Sequence, residues 1–291
     1  MGSSDVPPAT APSWLIPVQT ALLGAGVVCW DITYILMFLR SRTTKSSGVP
    51  LLGLALNVSW EIAYAFVVAD TLLERVGFAT WLALDGLIVY SLLKHAGDDW
   101  RESTGGGRWV ARHLGWVLYG MVLVGCVGQA AFVLTFFARP GLVARAVVAG
   151  KYGVSAGVNK AGKFWRGREG LDTTELSFWS AGLAQDVFSA ASLAQLVARG
   201  HSGGTGYLIW FVRFVGSLFG MQLAPGLLWW YWPEAHGFWL SPLAIFMSGF
   251  SILCDLAYLF VLRSVRKTEV KLPDGRLVAG DSPESVKVKP A

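Results

Sequence analysis

Five carboxylates stand inside apolar stretches of this 291-residue chain: Asp31, Glu61, Asp85, Asp186 and Asp255. One cation, Arg213, lies in such a stretch to answer them, so the five acids cannot all be ion-paired. A carboxylate near a bilayer centre costs at least about 2.5–3.5 kcal/mol on insertion scales, so such groups face a bundle interior and mark function by default. Low dielectric favours the neutral acid. A buried, protonated carboxyl is also what a strong general acid needs at neutral pH.

Helical spacing gathers these groups on polar stripes. Asn57, Glu61 and Tyr64 lie at i, i+4 and i+7, and Ser248, Ser251, Asp255 and Tyr258 at i, i+3, i+7 and i+10. Gln185, Ser189 and Ser192 form a third stripe beside Asp186, and Asp31 with Tyr34 a shorter one. The bland reading is interhelical hydrogen bonding, at about 0.6–2 kcal/mol per bond. It weighs more for Asp31, Asp85 and Asp186 than for Glu61 and Asp255. Gly216 and Gly220, four apart, have an ordinary packing explanation.

The aromatic content, 14 Trp, 16 Phe and 8 Tyr, supplies the other half of the chemistry. Trp229, Trp230, Tyr231 and Trp232 read as interfacial anchors. Trp30, Trp60, Tyr64, Trp179 and Tyr258 differ, because they neighbour the carboxylates in sequence or on the same helical face. Aromatic faces attract cations, so a ring-lined pocket stabilises a carbocation without offering a nucleophile to quench it. Acid and rings in one dry cavity suggest cation-initiated chemistry on an apolar substrate.

The elements that must position these groups are membrane helices. Hydrophobic residues make up 54% of the chain and charged residues 15%, far from a soluble composition. Apolar runs long enough to cross a bilayer recur at 14–39, 50–69, 77–93, 116–137, 177–197, 207–229 and 238–262. The expectation is an all-α, multi-pass membrane protein, a seven-transmembrane-helix bundle around a central cavity. Residues 1–13 form a short polar N-terminus without a basic signal-peptide region, 14–262 the membrane domain with long loops at 94–115 and 138–176, and 263–291 a disordered cytosolic tail. Within the second long loop, 141–157 is weakly apolar and reads as an interfacial or re-entrant segment.

Alternate loops and the tail carry 15 Lys and Arg against 8 on the other side, which puts the N-terminus outside and the C-terminus in the cytosol. The net charge of +5 lies in these loops and therefore speaks of orientation, disfavouring a nucleic-acid partner. Cys29, Cys126 and Cys254 fall in apolar runs and read as packing residues.

Other motifs are decoys. Asp98, Asp99 and Glu102 superficially match the magnesium-holding carboxylates of diphosphate-ionising enzymes, but they lie in a polar loop beside Gly105-Gly106-Gly107. That glycine run has no following Lys-Ser/Thr for a phosphate loop. His95, His113, His201 and His236 lack zinc spacing. No metal site and no cofactor are expected.

The stretch Asn57-x-x-Trp60-Glu61-x-x-Tyr64 resembles the integral-membrane terpene cyclases of the pyripyropene and paxilline type, which serve fungal meroterpenoid and indole-diterpene pathways. The segment 81–90 around Asp85, and the pattern Gln185, Ser189, Leu193, Leu196, Arg199-Gly200, look similar too. The resemblance spans all seven apolar runs. It implies metal-independent, proton-initiated cyclisation of a prenyl or epoxyprenyl chain borne on an aromatic, polyketide or indole scaffold. Catalytic roles would fall to Glu61, by motif, and Asp255, by position in the last helix. Asp31, Tyr34, Asn57, Trp60, Tyr64, Asp85, Trp179, Gln185, Asp186 and Tyr258 would line the substrate site. The chain is longer than typical members in its third and fourth loops and its tail, which leaves the scaffold open.

The partners implied are the bilayer and a prenylated small molecule. A prenyltransferase and an epoxidase in the same membrane would supply that substrate, in the endoplasmic reticulum for a eukaryotic source. The competing class is a proton-coupled small-molecule transporter or a seven-helix receptor, since intramembrane acids also relay protons. A retinal protein is disfavoured by the lack of Lys in any span.

Overall fold

The computed structural model describes residues 2–100, 106–137 and 160–286. The expected re-entrant stretch 141–157 lies outside them. The long helices are α1 (Leu15–Thr44), α2 (Leu51–Ala63, continued by a π-helical turn at Tyr64–Val68), α3 (Leu72–Asp99), α5 (Leu114–Phe137) and α6 (Thr173–Arg199). They are followed by α7 (Tyr207–Ser217), which runs through a π-helical segment, Leu218–Leu223, into α8 (Ala224–Tyr231), and by α10 (Pro242–Thr268). Short helices α4 (Gly106–Arg112), α9 (Pro233–His236) and α11 (Pro283–Val286) join or follow them. A 3-10 turn, Gly237–Leu240, leads towards α10, and two tiny antiparallel pairs complete the described elements. In one, β1 (Phe164–Trp165) sets Phe164 opposite Glu169 of β2 (Arg168–Glu169); in the other, β3 (Val270–Lys271) sets Val270 opposite Val278 of β4 (Leu277–Val278).

Among the described residues, six helical segments are long and apolar enough to cross a membrane: Leu15–Thr44, Leu51–Val68, Leu72–His95, Leu114–Phe137, Tyr207–Tyr231 and Pro242–Thr268. The expected span 177–197 coincides with α6, which has the length but is too polar to stand with those six. Its surroundings explain the polarity. Packed against α2, α5 and α10, α6 buries Ser177, Ser180, Ser189 and Ser192 among protein neighbours. Lipid-facing helices instead expose Leu73, Trp116, Val124, Leu253 and Phe260.

At the centre, α2 packs against α3, α5 and α6, while α1 packs against α3, α7 and α8. Glycines allow a close crossing of α1 with α7 and the π-helical segment after it. A Cβ on Gly26 would stand 3.0 Å from Gly216 O and 3.1 Å from Gly220 N, and one on Gly216 would stand 2.9 Å from Cys29 Cβ. This is the small-residue packing that the Gly216/Gly220 spacing suggested. Pro225 explains the π segment before it: with no N–H, it cannot close the helical bond to Met221, and the preceding turn widens.

Two expectations are corrected. Hydropathy marks the edge of hydrocarbon, not the end of a helix, so α3 runs on to Asp99 and α4 fills part of the loop expected at 94–115. The tail is ordered as far as 286. The last long helix continues to Thr268, the β3–β4 hairpin follows, and Ser285 Oγ donates to Gly280 O at 2.8 Å.

Hydrogen bonds tie the helix ends into two layers. In one, Ser47 N donates to Asp99 (2.9 Å), Arg199 to Ser47 O (2.6 Å) and Ser202 N to Glu269 (2.7 Å). In the other, Ser3 Oγ donates to Glu74 (3.0 Å), Val6 N to Gly162 O (2.8 Å) and Lys160 Nζ to Ala235 O (2.9 Å). The long helices therefore alternate in direction, and residues 2–6 lie at the opposite end from 269–286. Epitope tags at the two termini are expected to differ in protease accessibility in sealed membranes, with the C-terminal tag on the cytosolic face. Equal accessibility would contradict this arrangement.

Candidate active site

Glu61 of α2 and Asp85 of α3 are buried to 1% and 0% exposure, and the two carboxyls are near enough to interact directly. Among the described residues no donor reaches Glu61 Oε2 or either oxygen of Asp85. Two carboxyls so placed, with no cation beside them among the described residues, cannot both be ionised, because adjacent like charges in low dielectric do not persist together. Asp31 on α1 lies near this pair, beside Trp81.

Glu61 stands on the wall of a cavity of about 460 Å³ between α1, α2, α3, α6 and the α7–α8 segment. That volume falls in the usual range for small-molecule sites. Asp85 lies behind Glu61 and off the wall. Aromatic rings gather on the wall around Glu61. Trp60 packs against Phe78 at 5.1 Å, Trp81 at 5.8 Å and Tyr64 at 4.6 Å between ring centroids, while Trp30 packs against Tyr34 at 5.6 Å. Several polar edges are engaged by protein. Trp60 Nε1 donates to Ser180 Oγ (3.1 Å), the Tyr64 hydroxyl lies 2.8 Å from the same oxygen, and Asn57 Nδ2 donates to the Tyr34 hydroxyl (3.0 Å).

The structure brings Tyr34, Asn57, Trp60, Glu61 and Gln185 together on this wall, with Tyr64, Asp31 and Asp85 behind it. Four expected site residues are elsewhere. Asp255 is not beside Glu61 but in a buried ion pair with Arg213, Nη2 to Oδ1 at 2.5 Å. The sequence shows one intramembrane cation but not which acid it selects. Tyr258 belongs to that pair, its ring 5.4 Å from the Arg213 guanidinium and its hydroxyl donating to Thr205 (3.1 Å). Trp179 turns away to donate to Glu175 (3.3 Å), leaving Phe178 to line the cavity. Asp186 lies across a thin partition of Phe178, Gln185 and Met221, in a crevice with Gln222 and Ser248. Asp99 is spent on Ser47 N and on Arg199, at 3.4 Å.

Phe78, Phe178, Glu74 and Gln19 are wall residues that the sequence reading did not single out, and Phe78 was the most findable of them. Its spacing to Trp81 and Asp85, i, i+3 and i+7, places all three on one face of α3 and could have revealed it.

An ionic cluster outside the spans holds the N-terminal segment at the cavity's edge, where Ser3 and Thr174 join the lining. Lys163, fully buried, pairs with Asp5 and, at 3.2 Å, with Asp172. Lys160 pairs with Asp172 (2.7 Å) and Glu175 (2.6 Å). Asp172 also caps α6, accepting from Thr174 N (2.9 Å) and Glu175 N (3.0 Å). Burial alone would raise the Asp172 carboxyl, but Lys163 and Lys160 overrule it and hold it well below its ordinary range. Burial does push the Asp5 carboxyl up, against Lys163, and pushes the buried His236 well down, aided by Lys163.

A multi-pass helical bundle with a cavity that sets the acid Glu61 among aromatic rings is the architecture of a membrane protein with an internal small-molecule site. The chain belongs to the Pyr4-like transmembrane terpene cyclases, whose family model matches residues 4–158 and 161–268. Terpene cyclase ascF of Acremonium egyptiacum is 33% identical over 276 residues, covering 95% of this chain and 92% of that protein. Terpene cyclase macJ of Penicillium terrestre is 30% identical over 90% of this chain and 88% of its own length. Terpene cyclase pyr4 of Aspergillus fumigatus is 25% identical, with 86% and 87% covered. The chain is thus an integral-membrane terpene cyclase, which sets the transporter and receptor readings aside.

Asp172→Asn keeps an oxygen for the cap but removes the charge from Lys160 and Lys163. Breaking a buried pair costs about 3–5 kcal/mol, so the melting temperature in detergent is expected to fall. Because the folded Asp172 value is depressed, its contribution is present above the ordinary carboxylate range and is lost as pH falls through the depressed value. The gap between wild type and variant should therefore be widest near neutrality and close in strong acid; a gap constant with pH would refute the charge pairing.

Proposed function

We propose that this cyclase is proton-initiated, of the class II type, with Glu61 as the acid that starts the reaction. The observation that carries the reading is the Glu61–Asp85 pair, with one carboxyl on an aromatic wall and the other behind it. Glu61 gives its proton to a terminal epoxide oxygen or alkene carbon of a prenyl chain. The epoxide C–O bond or the alkene π bond supplies the electron pair, and a cation forms on the chain. Successive double bonds attack it and close rings, while Trp30, Trp60, Phe78 and Trp81 stabilise positive charge through their ring faces. A final deprotonation or internal capture leaves an isomer of the substrate. Before the step each carboxyl carries a proton: Glu61 gives up its own, and Asp85 keeps its own and donates it as a hydrogen bond to the Glu61 carboxylate left behind, which favours the release.

The substrate chain would be carried by an aromatic, polyketide or indole scaffold, and Asp31, Tyr34, Asn57 and Gln185 would border it. The setting we propose is the endoplasmic reticulum of a eukaryotic source, with a prenyltransferase and an epoxidase upstream. The step uses carboxylic-acid chemistry without a metal. Chelator is accordingly expected to leave turnover unchanged, and a strict magnesium requirement restored by readdition would overturn the proton trigger.

Substitution separates the acids. Glu61→Gln retains size and hydrogen bonding but has no transferable proton, and should lower turnover at least about 10²-fold with folded yield kept. Asp85→Asn, which still offers Glu61 a donor, should lose less. Asp255→Asn leaves Arg213 buried without its countercharge and should lower folded yield alongside activity. Turnover measured beside yield for the three decides the matter: near-normal activity in Glu61→Gln would sink the mechanism.

A further inference from the structure

Three side-chain amides line the cavity, and they are not equivalent. Asn57 donates to the Tyr34 hydroxyl (3.0 Å) and Gln185 to Ser189 Oγ (3.0 Å), so both are held by protein. Gln19 is 2% exposed, and among the described residues no group hydrogen-bonds its carboxamide. An amide on the cavity wall without a protein partner keeps its hydrogen-bonding capacity for whatever fills the cavity.

Gln19 also occupies the far end of the cavity from the acid. Gln19, Leu23, Trp30 and Tyr34 follow one face of α1, and at about 1.5 Å rise per residue the stretch from Gln19 to Tyr34 separates the two ends by roughly 22 Å. Around Gln19 the wall turns polar, with Ser3, Thr20 and Thr174, where the deep end is aromatic. An amphiphilic ligand has only one orientation that matches both ends.

We propose that Gln19 is the anchor of a head-group subsite, binding a substrate head that both donates and accepts hydrogen bonds, such as a phenolic hydroxyl, while the prenyl chain extends toward Glu61. The direction of the chain rests on the cyclase reading above. The subsite itself rests on the free amide and the polarity of its surroundings. One carboxamide offers an acceptor and two donors. It can therefore take a hydroxyl in both senses, which a bare hydrocarbon cannot exploit. Gln19 is thus a specificity residue, one that selects headed over headless chains without taking part in proton transfer.

The test uses inert ligands, so that binding is read apart from catalysis: a phenol carrying a fully saturated isoprenoid chain, and the same saturated chain as the plain hydrocarbon. Dissociation constants are measured by tryptophan fluorescence on the full-length protein in lipid nanodiscs. Wild type is expected to bind the phenol more tightly. Gln19→Met, nearly isosteric and without hydrogen-bonding capacity of that kind, should raise the phenol constant about tenfold and leave the hydrocarbon constant unchanged. Gln19→Asn, which keeps the amide but shortens its reach, should show the same selective loss in smaller measure. Equal changes for both ligands, no change for either, or no preference in wild type would overturn the subsite. Cyclisation by Glu61→Gln is scored separately, so failure of the acid assignment and failure of the subsite give different results.

Discussion

Hydrocarbon does not tolerate isolated charge, and this chain meets that constraint in three ways. Asp255 takes a countercharge from Arg213, whose guanidinium also lies over the rings of Phe188 (5.2 Å) and Tyr258 (5.4 Å). Glu61 and Asp85 have no cation and have each other. The remaining clusters sit at the two ends of the bundle, where Lys160 and Lys163 meet Asp5, Asp172 and Glu175, and where Arg199 meets Asp99. On the reading proposed above, the second solution supplies the transferable proton: an ion pair is chemically quiet, whereas of two protonated carboxyls one can give up its proton while the other keeps its own and hydrogen-bonds the anion.

The geometry divides labour within that pair. Glu61 reaches the wall, and Asp85, four residues along α3 from Trp81, stays behind it. The same helical face thus supplies both the ring beside the acid and the partner behind it. On the proposed reading, charge released beside Glu61 meets the rings there, where the indole N–H of Trp60 and the hydroxyl of Tyr64 are both engaged by Ser180.

Much of this was legible in the residues. The run lengths identify the six apolar spans and the helix at 173–199, because period and hydropathy are local properties. The Asn57, Trp60, Glu61 and Tyr64 stripe reports its own face, and three of its four residues reach the cavity wall. Pairing is not local. Nothing in sequence spacing tells Arg213 to choose Asp255 over Asp186, or turns Asp85 toward Glu61, because those choices depend on which helices become neighbours. Trp179 shows the same limit on a smaller scale: it and Phe178 are adjacent in sequence, and the rotation of α6 decides which enters the cavity. Gln19 carried no signal either, since a lone glutamine near the start of an apolar run resembles any interfacial residue.

The polarity of α6 bears on biosynthesis. A segment holding Glu175, Asp186, Arg199 and a series of serines gains little by leaving an aqueous channel for lipid unaided. Its favourable surroundings are other helices, namely α2, α5 and α10, and the last of these is synthesised after it. Stable entry of α6 into the bilayer is therefore coupled to the arrival of later segments. Lesions near the C-terminus would be felt as faulty integration of a helix made well before them.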